Sequence, residues 1–407
     1  MHLIQLPISS MITIERIKAR LAFHIMSEGP QPLLFSPLTL RGVTIRNRIV
    51  VSPMCQYRSD NGRPSEWHLV HLGRMALGGA GIVFTEETAV EERGRKTYDC
   101  AGIWNDAQMK CYLPITDFIR SLGAVPAIQL GHCGRRAGTH GPMHNFAVLT
   151  DADAAIGRPP WTGIAPSPLP AALDMTVPVE MQIDDINDVI VAFVDAAQRA
   201  TAAGFDICEI HGAHGYLIHQ FLSPVTNRRS DAYGGDRAGR MRLALEIVEA
   251  VRRVWPEDKP LFFRVSAVDG KGGLWNEDDT IALSKELIQR GVDVIDCSSG
   301  GISGDSPMPK LANSPGYQVP FAERVRRETQ ARTMAVGLLT DPYQCELILK
   351  EGKADLVALA RELMLHGDWP VQAAKELGLC NYLDLFPADY AWRLKRREKG
   401  LGFTSSF

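Results

Sequence analysis

Eight short runs of apolar, often β-branched residues, each followed by a helical pattern, constrain the fold of this chain more than any other feature. The predicted strands are 49–54, 81–85, 125–129, 205–210, 261–265, 292–297, 333–336 and 354–359. The predicted helices are 66–77, 106–121, 184–203, 237–254, 277–290, 318–328 and 341–350. Strands that alternate with helices form parallel sheets, and eight such units can close into a barrel. The sequence therefore predicts an α/β protein with a single (β/α)8 TIM barrel and a long loop excursion after strand 3, from Gly131 to Met181.

An open, doubly wound sheet is the alternative arrangement of the same elements. Such a sheet normally carries a glycine-rich dinucleotide-binding turn after its first strand. Here that position reads Pro-Met-Cys-Gln-Tyr at 53–57, which favours the barrel. Because catalytic groups in such barrels lie at the carboxyl ends of the strands, we look for site residues there.

The composition excludes several classes of protein. Hydrophobic residues make up 45% and charged residues 22% of the 407 residues, as in globular proteins and unlike disordered or low-complexity chains. The 44 basic and 47 acidic residues give a net charge of -3, so we expect a small-molecule partner and neither nucleic acid nor a membrane. Eight cysteines without C-x-x-C spacing argue against zinc ribbons, iron–sulfur clusters and a disulfide framework, and they favour a cytoplasmic location.

The chain divides into three parts. We predict an N-terminal extension at 1–30, a barrel at 31–380 and a C-terminal tail at 381–407. The extension suits an amphipathic helix, a basic organellar address, or a translated leader upstream of a start at Met11 or Met26. The leader is favoured, because the regular pattern begins only near Pro32.

Small residues and an arginine follow the last three predicted strands. Ser298, Ser299, Gly300 and Gly301 follow strand 6, Gly337 follows strand 7, and Arg361 opens a helix after strand 8. Each glycine alone is compatible with simple turn chemistry. Together with a guanidinium and a helix N-terminus, their backbone N–H groups predict a phosphate site.

The segment after strand 4 carries two histidines and a tyrosine, at His211, His214 and Tyr216. Gly212 and Gly215 are expected to let the backbone turn so that these side chains share a pocket. The two imidazoles could bind zinc with a third ligand, or donate hydrogen bonds to an oxygen that gains negative charge while Tyr216 supplies a proton. The third possibility is that the two histidines have a purely structural role.

Three further strand ends carry polar side chains. Arg264 ends strand 5 among apolar neighbours, so we expect a polar ligand for its guanidinium. Gln129 ends strand 3 with an amide that suits the edge of a heterocycle. Cys55 follows strand 1, where it packs as a small apolar residue or tunes a redox ring.

With these residues in place, the chain from about Pro32 to Leu394 resembles the Old Yellow Enzyme family of FMN-dependent NAD(P)H oxidoreductases. It is most similar to the thermophilic-like branch, with the YqjM-type and xenobiotic reductase A-type proteins. The stretches that carry the resemblance are 38–40, 47–50, 52–55, 129–135, 211–224, 227–229, 233–235, 296–300 and 361–363.

The resemblance implies a role for each site residue, in a barrel that binds FMN and no metal. The implied cofactor contacts are Pro53, Met54, Cys55, Glu87, Gln129, His211, Arg264, Ser299, Gly300, Gly337 and Arg361. The implied catalytic set is His211, His214, Tyr216, Cys55 and Tyr57. Within it, the two histidines bind the substrate oxygen, Tyr216 donates a proton, Tyr57 lies over the substrate and Cys55 modulates the flavin.

The resemblance also implies a reaction. A hydride from NADPH or NADH reduces FMN, which passes it to the β-carbon of an activated alkene such as an enone, with nitro compounds as further substrates. Two alternatives remain open at this stage. One is a metal-dependent TIM-barrel hydrolase that uses His211 and His214 as ligands, and the other is a flavin-binding barrel without ene-reductase turnover.

The sequence departs from the family pattern in several places. Glu87 stands where relatives carry a small residue, and Ala360 stands where they often carry glycine. The excursion contains a segment rich in proline and glycine, 139–177, which predicts a lid over the site. The aromatic and basic stretch 390–393 is expected either to reach a neighbouring subunit, giving a homo-oligomer (dimer or tetramer), or to form a solvated tail.

Overall fold

The computed structural model describes residues 31–305 and 313–401. The predictions for the extension at 1–30 lie outside the described residues, as does the end of the predicted tail, 402–407. Within the described ranges, no helix is long and apolar enough to cross a membrane.

A closed barrel of eight parallel strands forms the centre of the molecule. Its strands are β1 (Ile49–Val51), β2 (Ile82–Ala89), β3 (Val125–Gly131), β4 (Ile207–Gly212), β5 (Leu261–Ser266), β6 (Val294–Ser298), β7 (Arg332–Ala335) and β8 (Leu356–Leu359). Neighbours in the chain are neighbours in the sheet, and β8 closes the barrel against β1 with Val357 opposite Ile49. The predicted TIM barrel is therefore confirmed, and the open sheet is wrong.

Eight helices follow the strands on the outside of the barrel. They are α1 (Glu66–Leu77), α2 (Asp106–Ser121), α3 (Ile183–Ala202), α4 (Arg237–Val254), α5 (Glu277–Gln289), α6 (Val319–Thr329), α7 (Pro342–Lys350) and α8 (Trp369–Glu376). Polar caps fix where they begin: the Asn276 side chain accepts hydrogen bonds from two N–H groups of α5, and Asp341 does the same for α7. The Asp-Pro start predicted for α7 is thus confirmed, because Pro342 occupies its first position.

The two ends of the barrel differ in polarity. At the amino end, a hairpin of Leu38–Leu40 and Val43–Ile45 packs with interior residues such as Phe84 and Phe262. A second, larger apolar layer lies between the strands and the helices. Since the amino end is filled with apolar side chains, the carboxyl end is left for polar groups.

Every strand differs from its predicted bounds at one end or both, mostly by one or two residues, and two strand ends differ by three or four. β1 ends at Val51 rather than at residue 54, because Ser52 makes the last ladder bond, to the Leu359 carbonyl at 2.9 Å, and the next residue is Pro53, which has no N–H. β2 continues to Ala89 rather than ending at residue 85. A bulge between Phe84 and Glu87 allows this, and it sets Glu87 opposite Gln129 of β3.

Additional elements lie beyond the strict barrel. Short helices occupy Asp151–Ala154, Leu217–Leu222 and Arg361–Leu365, and a longer one closes the described chain at Ala388–Gly400. Within the excursion after β3, Ile164–Ala165 pairs with Val179–Glu180. The excursion contacts the rim through Trp161, which packs against Cys133 and Tyr216.

Candidate active site

The segment after β4 brings its two histidines and its tyrosine together. The ring centroids of His211 and His214 are 5.1 Å apart, and those of His211 and Tyr216 are 5.0 Å apart, both in edge-on arrangements. The Nδ1 atom of His211 is buried and has no hydrogen-bond partner among the described residues. The Nε2 atom of His214 lies 2.7 Å from the Ser298 hydroxyl.

Of the two glycines predicted to form the turn in this segment, Gly215 does so and Gly212 does not. His214 itself adopts the left-handed region, with φ of 59°, and Gly215 follows with φ of 72°. A side chain on Gly215 would place its Cβ 2.3 Å from the Gly301 carbonyl. Gly212 is different: it belongs to β4, and its missing Cβ makes room for the Phe263 ring rather than for a turn.

A buried dyad beneath the segment holds the turn in place. The Gly215 N–H donates to Nδ1 of His219 at 2.9 Å, and Nε2 of His219 lies 2.8 Å from Oδ1 of Asp269. Oδ2 of Asp269 accepts hydrogen bonds from the Ser223 hydroxyl and from the N–H groups of Leu274 and Trp275. Although burial opposes its charge, these bonds lower the pKa of Asp269.

The electrostatic surroundings keep both predicted substrate-binding histidines uncharged. Burial, followed by the positive charge of Arg264, holds the pKa of His211 and that of His214 well below the ordinary range. Burial also raises the pKa of Tyr216 well above its usual value. Near neutral pH, the site therefore offers two neutral imidazoles and a phenol that keeps its proton.

A polar layer crosses the barrel interior next to these rings. Nε2 of Gln129 donates to Oε1 of Glu209 at 2.8 Å, and Nε of Arg264 lies 3.0 Å from Oδ2 of Asp296. Arg264 also donates to the Ser52 hydroxyl at 3.3 Å. The neighbouring strand β6 thus supplies a carboxylate to the guanidinium, and the polar ligand expected for Arg264 stays a prediction.

The two carboxyl groups of this layer share one electrostatic environment. Burial, and then the charge of Asp296, raises the pKa of Glu209 well above its usual value. Burial also raises the pKa of Asp296, which Arg264 opposes. Two buried carboxylates beside one guanidinium favour retention of a proton on Glu209, so the layer carries one negative and one positive charge.

The predicted phosphate corner is arranged around Gln318. Its side-chain oxygen accepts hydrogen bonds from the Ser299 hydroxyl at 2.6 Å and the Ser298 hydroxyl at 3.3 Å. Gly300 has φ of 81° and open space where a Cβ would lie, and Gly337 has φ of 128°. Both positions favour glycine, but only Gly300 is open, because the Gln318 side chain fills the space beside Gly337. The Gly300 N–H itself donates to the Val268 carbonyl at 2.9 Å.

Arg361 begins its helix at the same rim, with an exposed side chain. The residue before it, Ala360, has φ of -117° and ψ of -95°, so it lies outside the left-handed region that favours glycine. Alanine in place of the family's glycine therefore meets no positive-φ strain at this position.

The residues after β1 form another part of the rim. Pro53, Met54, Cys55 and Tyr57 are all partly buried. Tyr57 has φ of 54°, an uncommon conformation for an aromatic residue, and its ring lies 5.8 Å from that of Phe146 in the excursion. Burial, and then the charge of Glu86, raises the pKa of Cys55 well above its usual value, so its thiol keeps its proton.

Glu87 is a buried carboxyl group at the end of β2. Its Oε1 has no hydrogen-bond partner among the described residues, and its Oε2 accepts only a long contact, 3.8 Å, from the Cys133 thiol. A Cβ on Gly131 would lie 2.3 Å from Oε1, so glycine makes room for the carboxyl group. Burial, reinforced by Glu86, raises the pKa of Glu87 to about 8.

Several residues of this rim were missed by sequence reasoning. They are Lys96, Glu209, His219, Asp269 and Asp296. His219 and Asp296 lie inside the 211–224 and 296–300 stretches that carry the family resemblance, and Glu209 lies two residues before the first of these, so their positions were a usable signal. Nothing in the local sequence marks Lys96 or Asp269, because only the folded barrel brings them to the rim.

The rim has the properties that a flavin site requires. Buried polar atoms without a hydrogen bond among the described residues, including Nδ1 of His211 and Oε1 of Glu87, lie near the carboxyl ends of β4 and β2, and the open space at Gly300 follows the carboxyl end of β6. Such atoms need a polar partner to offset the cost of burial. Among the described residues, no group of three or more histidine, cysteine or acidic side chains could hold a metal ion.

Comparison with known proteins agrees with this geometry. The model of the NADH:flavin oxidoreductase / NADH oxidase family matches residues 33–379. An NADPH dehydrogenase of Geobacillus sp. (strain WCH70) is 45% identical over 350 residues, 86% of this chain and 95% of that protein. One from Bacillus licheniformis is 42% identical over 347 residues, 84% of this chain and 94% of that protein.

Solved structures agree as well. Morphinone reductase superposes with a TM-score of 0.70 at 25% identity, over 86% of this chain and 91% of that one. A nicotinamide analogue, tetrahydroNAD, is bound in another structure of morphinone reductase. The chain belongs to the NADH:flavin oxidoreductase / NADH oxidase family, that of Old Yellow Enzyme, and it is an oxidoreductase that uses FMN and a nicotinamide cofactor.

Proposed function

We propose that this protein is an ene-reductase, which uses NADPH or NADH to reduce the C=C bond of activated alkenes such as enones, and which also accepts nitro compounds. The observation that supports this most is the arrangement of His211, His214 and Tyr216, with ring centroids 5.0 to 5.1 Å apart at the carboxyl end of β4. Two neutral donors beside a protonated phenol suit an oxygen that becomes more negative as hydride arrives.

In this proposal, most of the rim holds the cofactor. Pro53, Met54 and Cys55 line the ring, the backbone at Glu87 meets its edge, and Gln129 and Arg264 bind the pyrimidine side. The phosphate and ribityl contacts are Ser299, Gly300, Gly337 and Arg361. When bound, FMN supplies the hydride that is transferred to the β-carbon of the substrate.

The remaining residues act on the substrate. His211 and His214 bind the carbonyl or nitro oxygen through ring N–H groups and draw electrons away from the alkene, which makes its β-carbon electrophilic. Tyr216 then gives its phenolic proton to the α-carbon, and Tyr57 covers the substrate from the side of Phe146. One oxyanion donor of this kind contributes about 10²–10³ in rate.

The proposal extends to location and assembly. Eight free cysteines suit a reducing cytoplasm. Trp392 is 55% exposed on the last helix, and its ring lies beside Arg393 and Arg396. We propose that a second subunit packs against this exposed ring to form a homo-oligomer. The excursion 139–177 acts as the lid of the site.

Anaerobic mixing tests the function directly. Purified protein saturated with FMN should lose its yellow colour on addition of NADPH, and addition of cyclohexenone should restore the colour as the alkene is reduced. Persistent yellow colour after NADPH, or bleached flavin that cyclohexenone does not reoxidise, contradicts the proposal. Colourless protein that contains zinc would instead support a metal-dependent hydrolase.

A further inference from the structure

Lys96 places a positive charge without a counter-charge beside the rim. Its ammonium group lies 3.4 Å from the centroid of the Phe146 ring. Across residues 31–305 and 313–401, this ammonium makes neither a hydrogen bond nor an ion pair, although its backbone carbonyl accepts the Thr139 N–H. The Phe146 ring in turn packs near the ring of Tyr57, the residue proposed to cover the substrate, with 5.8 Å between the ring centroids.

The charge of Lys96 acts on the proposed reaction site. It favours a negative charge on Cys55, on Cys133 and on Glu87. Cys133 belongs to the same small apolar cluster as Tyr216. Lys96 therefore belongs to the same part of the rim as the residues that flank the substrate.

A second cation adds to the positive potential of this region. Arg136 donates to the backbone carbonyls of His214 at 3.1 Å and Gly301 at 3.2 Å. No carboxylate of the described chain lies within ion-pair distance of its guanidinium, and its charge disfavours the charged form of Lys96. Two neighbouring cations without an acid partner attract anions to the space they border.

The carboxyl group nearest to this space does not cancel the potential. Among the described residues, Glu87 and Lys96 form no ion pair. With the pKa of Glu87 raised to about 8, the group is uncharged near neutral pH. An uncharged carboxyl group does not repel an incoming carboxylate, and it can donate a hydrogen bond.

The energetics favour a ligand for Lys96. Burial lowers the pKa of the ammonium, which is the cost of partial desolvation. A cation over an aromatic ring recovers only part of this cost. A carboxylate would offset more of the desolvation cost, because charge-assisted hydrogen bonds are about twice as strong as neutral ones.

We infer that Lys96 determines substrate specificity and selects activated alkenes that carry a carboxylate, which pairs with its ammonium group while the activating carbonyl lies at His211 and His214. This inference rests on the proposed function. It narrows the substrate class from enones in general to unsaturated oxo acids and similar anions. Lys96 pairs with the carboxylate and not with the carbonyl oxygen that gains charge during hydride transfer, so its removal should raise KM more than it lowers kcat.

A matched pair of substrates isolates the effect of the substrate's negative charge. 4-Oxo-2-pentenoate and its methyl ester share one alkene and one ketone, and they differ only in the carboxylate. The ratio of kcat/KM for the acid to kcat/KM for the ester should exceed one in the native protein and fall about tenfold or more in Lys96→Met, which keeps the length of the side chain. Lys96→Arg should retain most of the ratio, and Lys110→Met, an exposed lysine of α2, should leave it unchanged.

Binding provides a readout that does not depend on turnover. The native holoprotein should bind 4-hydroxybenzoate more tightly than its methyl ester, as measured by the change in flavin absorbance, and Lys96→Met should reverse or abolish the difference. If the ester is reduced while neither ratio depends on Lys96, the inference is wrong and the ene-reductase assignment stands. If neither compound nor cyclohexenone is reduced, the proposed function fails, and the binding pair still decides whether Lys96 selects anions. Should Lys96→Met not fold, equal affinities of the native protein for the two benzoates overturn the inference.

Discussion

The N–H of Gly215 donates a hydrogen bond to Nδ1 of His219 at 2.9 Å. Because Nδ1 accepts this bond, the ring proton of His219 lies on Nε2, which faces Asp269 at 2.8 Å. The dyad thus fixes the backbone directly after His214, whose left-handed φ of 59° would otherwise relax toward more common conformations. His219 is a positioning residue for the pair of rings above it.

Replacements of His219 test the contributions of its two hydrogen bonds separately. His219→Ala should lower the free energy of unfolding by about 1–3 kcal/mol, because Asp269 loses a buried donor. It should also weaken binding of a phenol such as 4-hydroxybenzaldehyde to the holoprotein, measured by the long-wavelength absorbance band. His219→Asn places a side-chain oxygen near the position of Nδ1, so it should recover phenol binding better than His219→Gln. Equal affinity in the native protein and His219→Ala would show that the dyad is only structural.

Tyr216→Phe should affect one half of the reaction alone. The phenol keeps its proton because burial raises its pKa, so its loss removes a proton donor and leaves the apolar packing against Cys133 and Trp161 intact. Stopped-flow mixing should show NADPH reducing the flavin at the native rate. Reoxidation by cyclohexenone should then slow by about 10²-fold or more. Native reoxidation would assign the proton to another group.

Cys55→Ala tests whether the thiol tunes the cofactor. The thiol is partly buried on the rim and protonated, because burial and Glu86 raise its pKa. Its removal should shift the midpoint potential of the flavin or the affinity for substrate, measured by anaerobic titration and by KM. Cys111→Ala, on the outer surface of α2, serves as the control. If both quantities stay at their native values, Cys55 is only a packing residue.

Glu87→Gln should change how stability depends on pH. The folded-state pKa of about 8 lies above the ordinary value, so the folded form favours the protonated acid, and stability that is fully present below about pH 4 is lost as pH rises to 8. The charged groups that act on Glu87 are Glu86 and Lys96, and the nearest thiol is Cys133. Glutamine does not ionise, so the holoprotein variant should gain thermal stability relative to the native protein between pH 5 and pH 9. Glu180→Gln, an exposed carboxylate, should show no such trend, and a constant difference across this range would contradict the buried, protonated state of Glu87.

The barrel was predictable because its periodicity is local. Every strand run was found in the right order, since buried parallel strands are continuous apolar segments between helices. The ends were less predictable: the bulge that carries β2 to Ala89 depends on pairing with β3, and no local pattern marks it. At Ala360 the sequence departs from the family's frequent glycine, but the negative φ of this residue shows that the position does not need the left-handed backbone that favours glycine.

The site residues also divide into those that the local sequence predicts and those that only the folded barrel brings together. His211, His214 and Tyr216 stand within six residues of one another, so their proximity follows from the sequence. Asp269 reaches His219 across 50 residues, and Lys96 meets Phe146 of the excursion, which only the closed fold brings about. The burial of Glu87 was equally hidden, because whether a charged residue beside a strand faces water depends on the bulge that redirects it.

The central claim is that His211 and His214 bind the oxygen of a ligand next to a bound flavin. The most direct measurement is titration of the His211→Ala/His214→Ala double variant with 4-hydroxybenzaldehyde, followed at long wavelength, with FMN content measured in the same sample. The account predicts that FMN stays bound while the charge-transfer band formed by the native protein disappears. A band of native intensity and affinity in the double variant would contradict it.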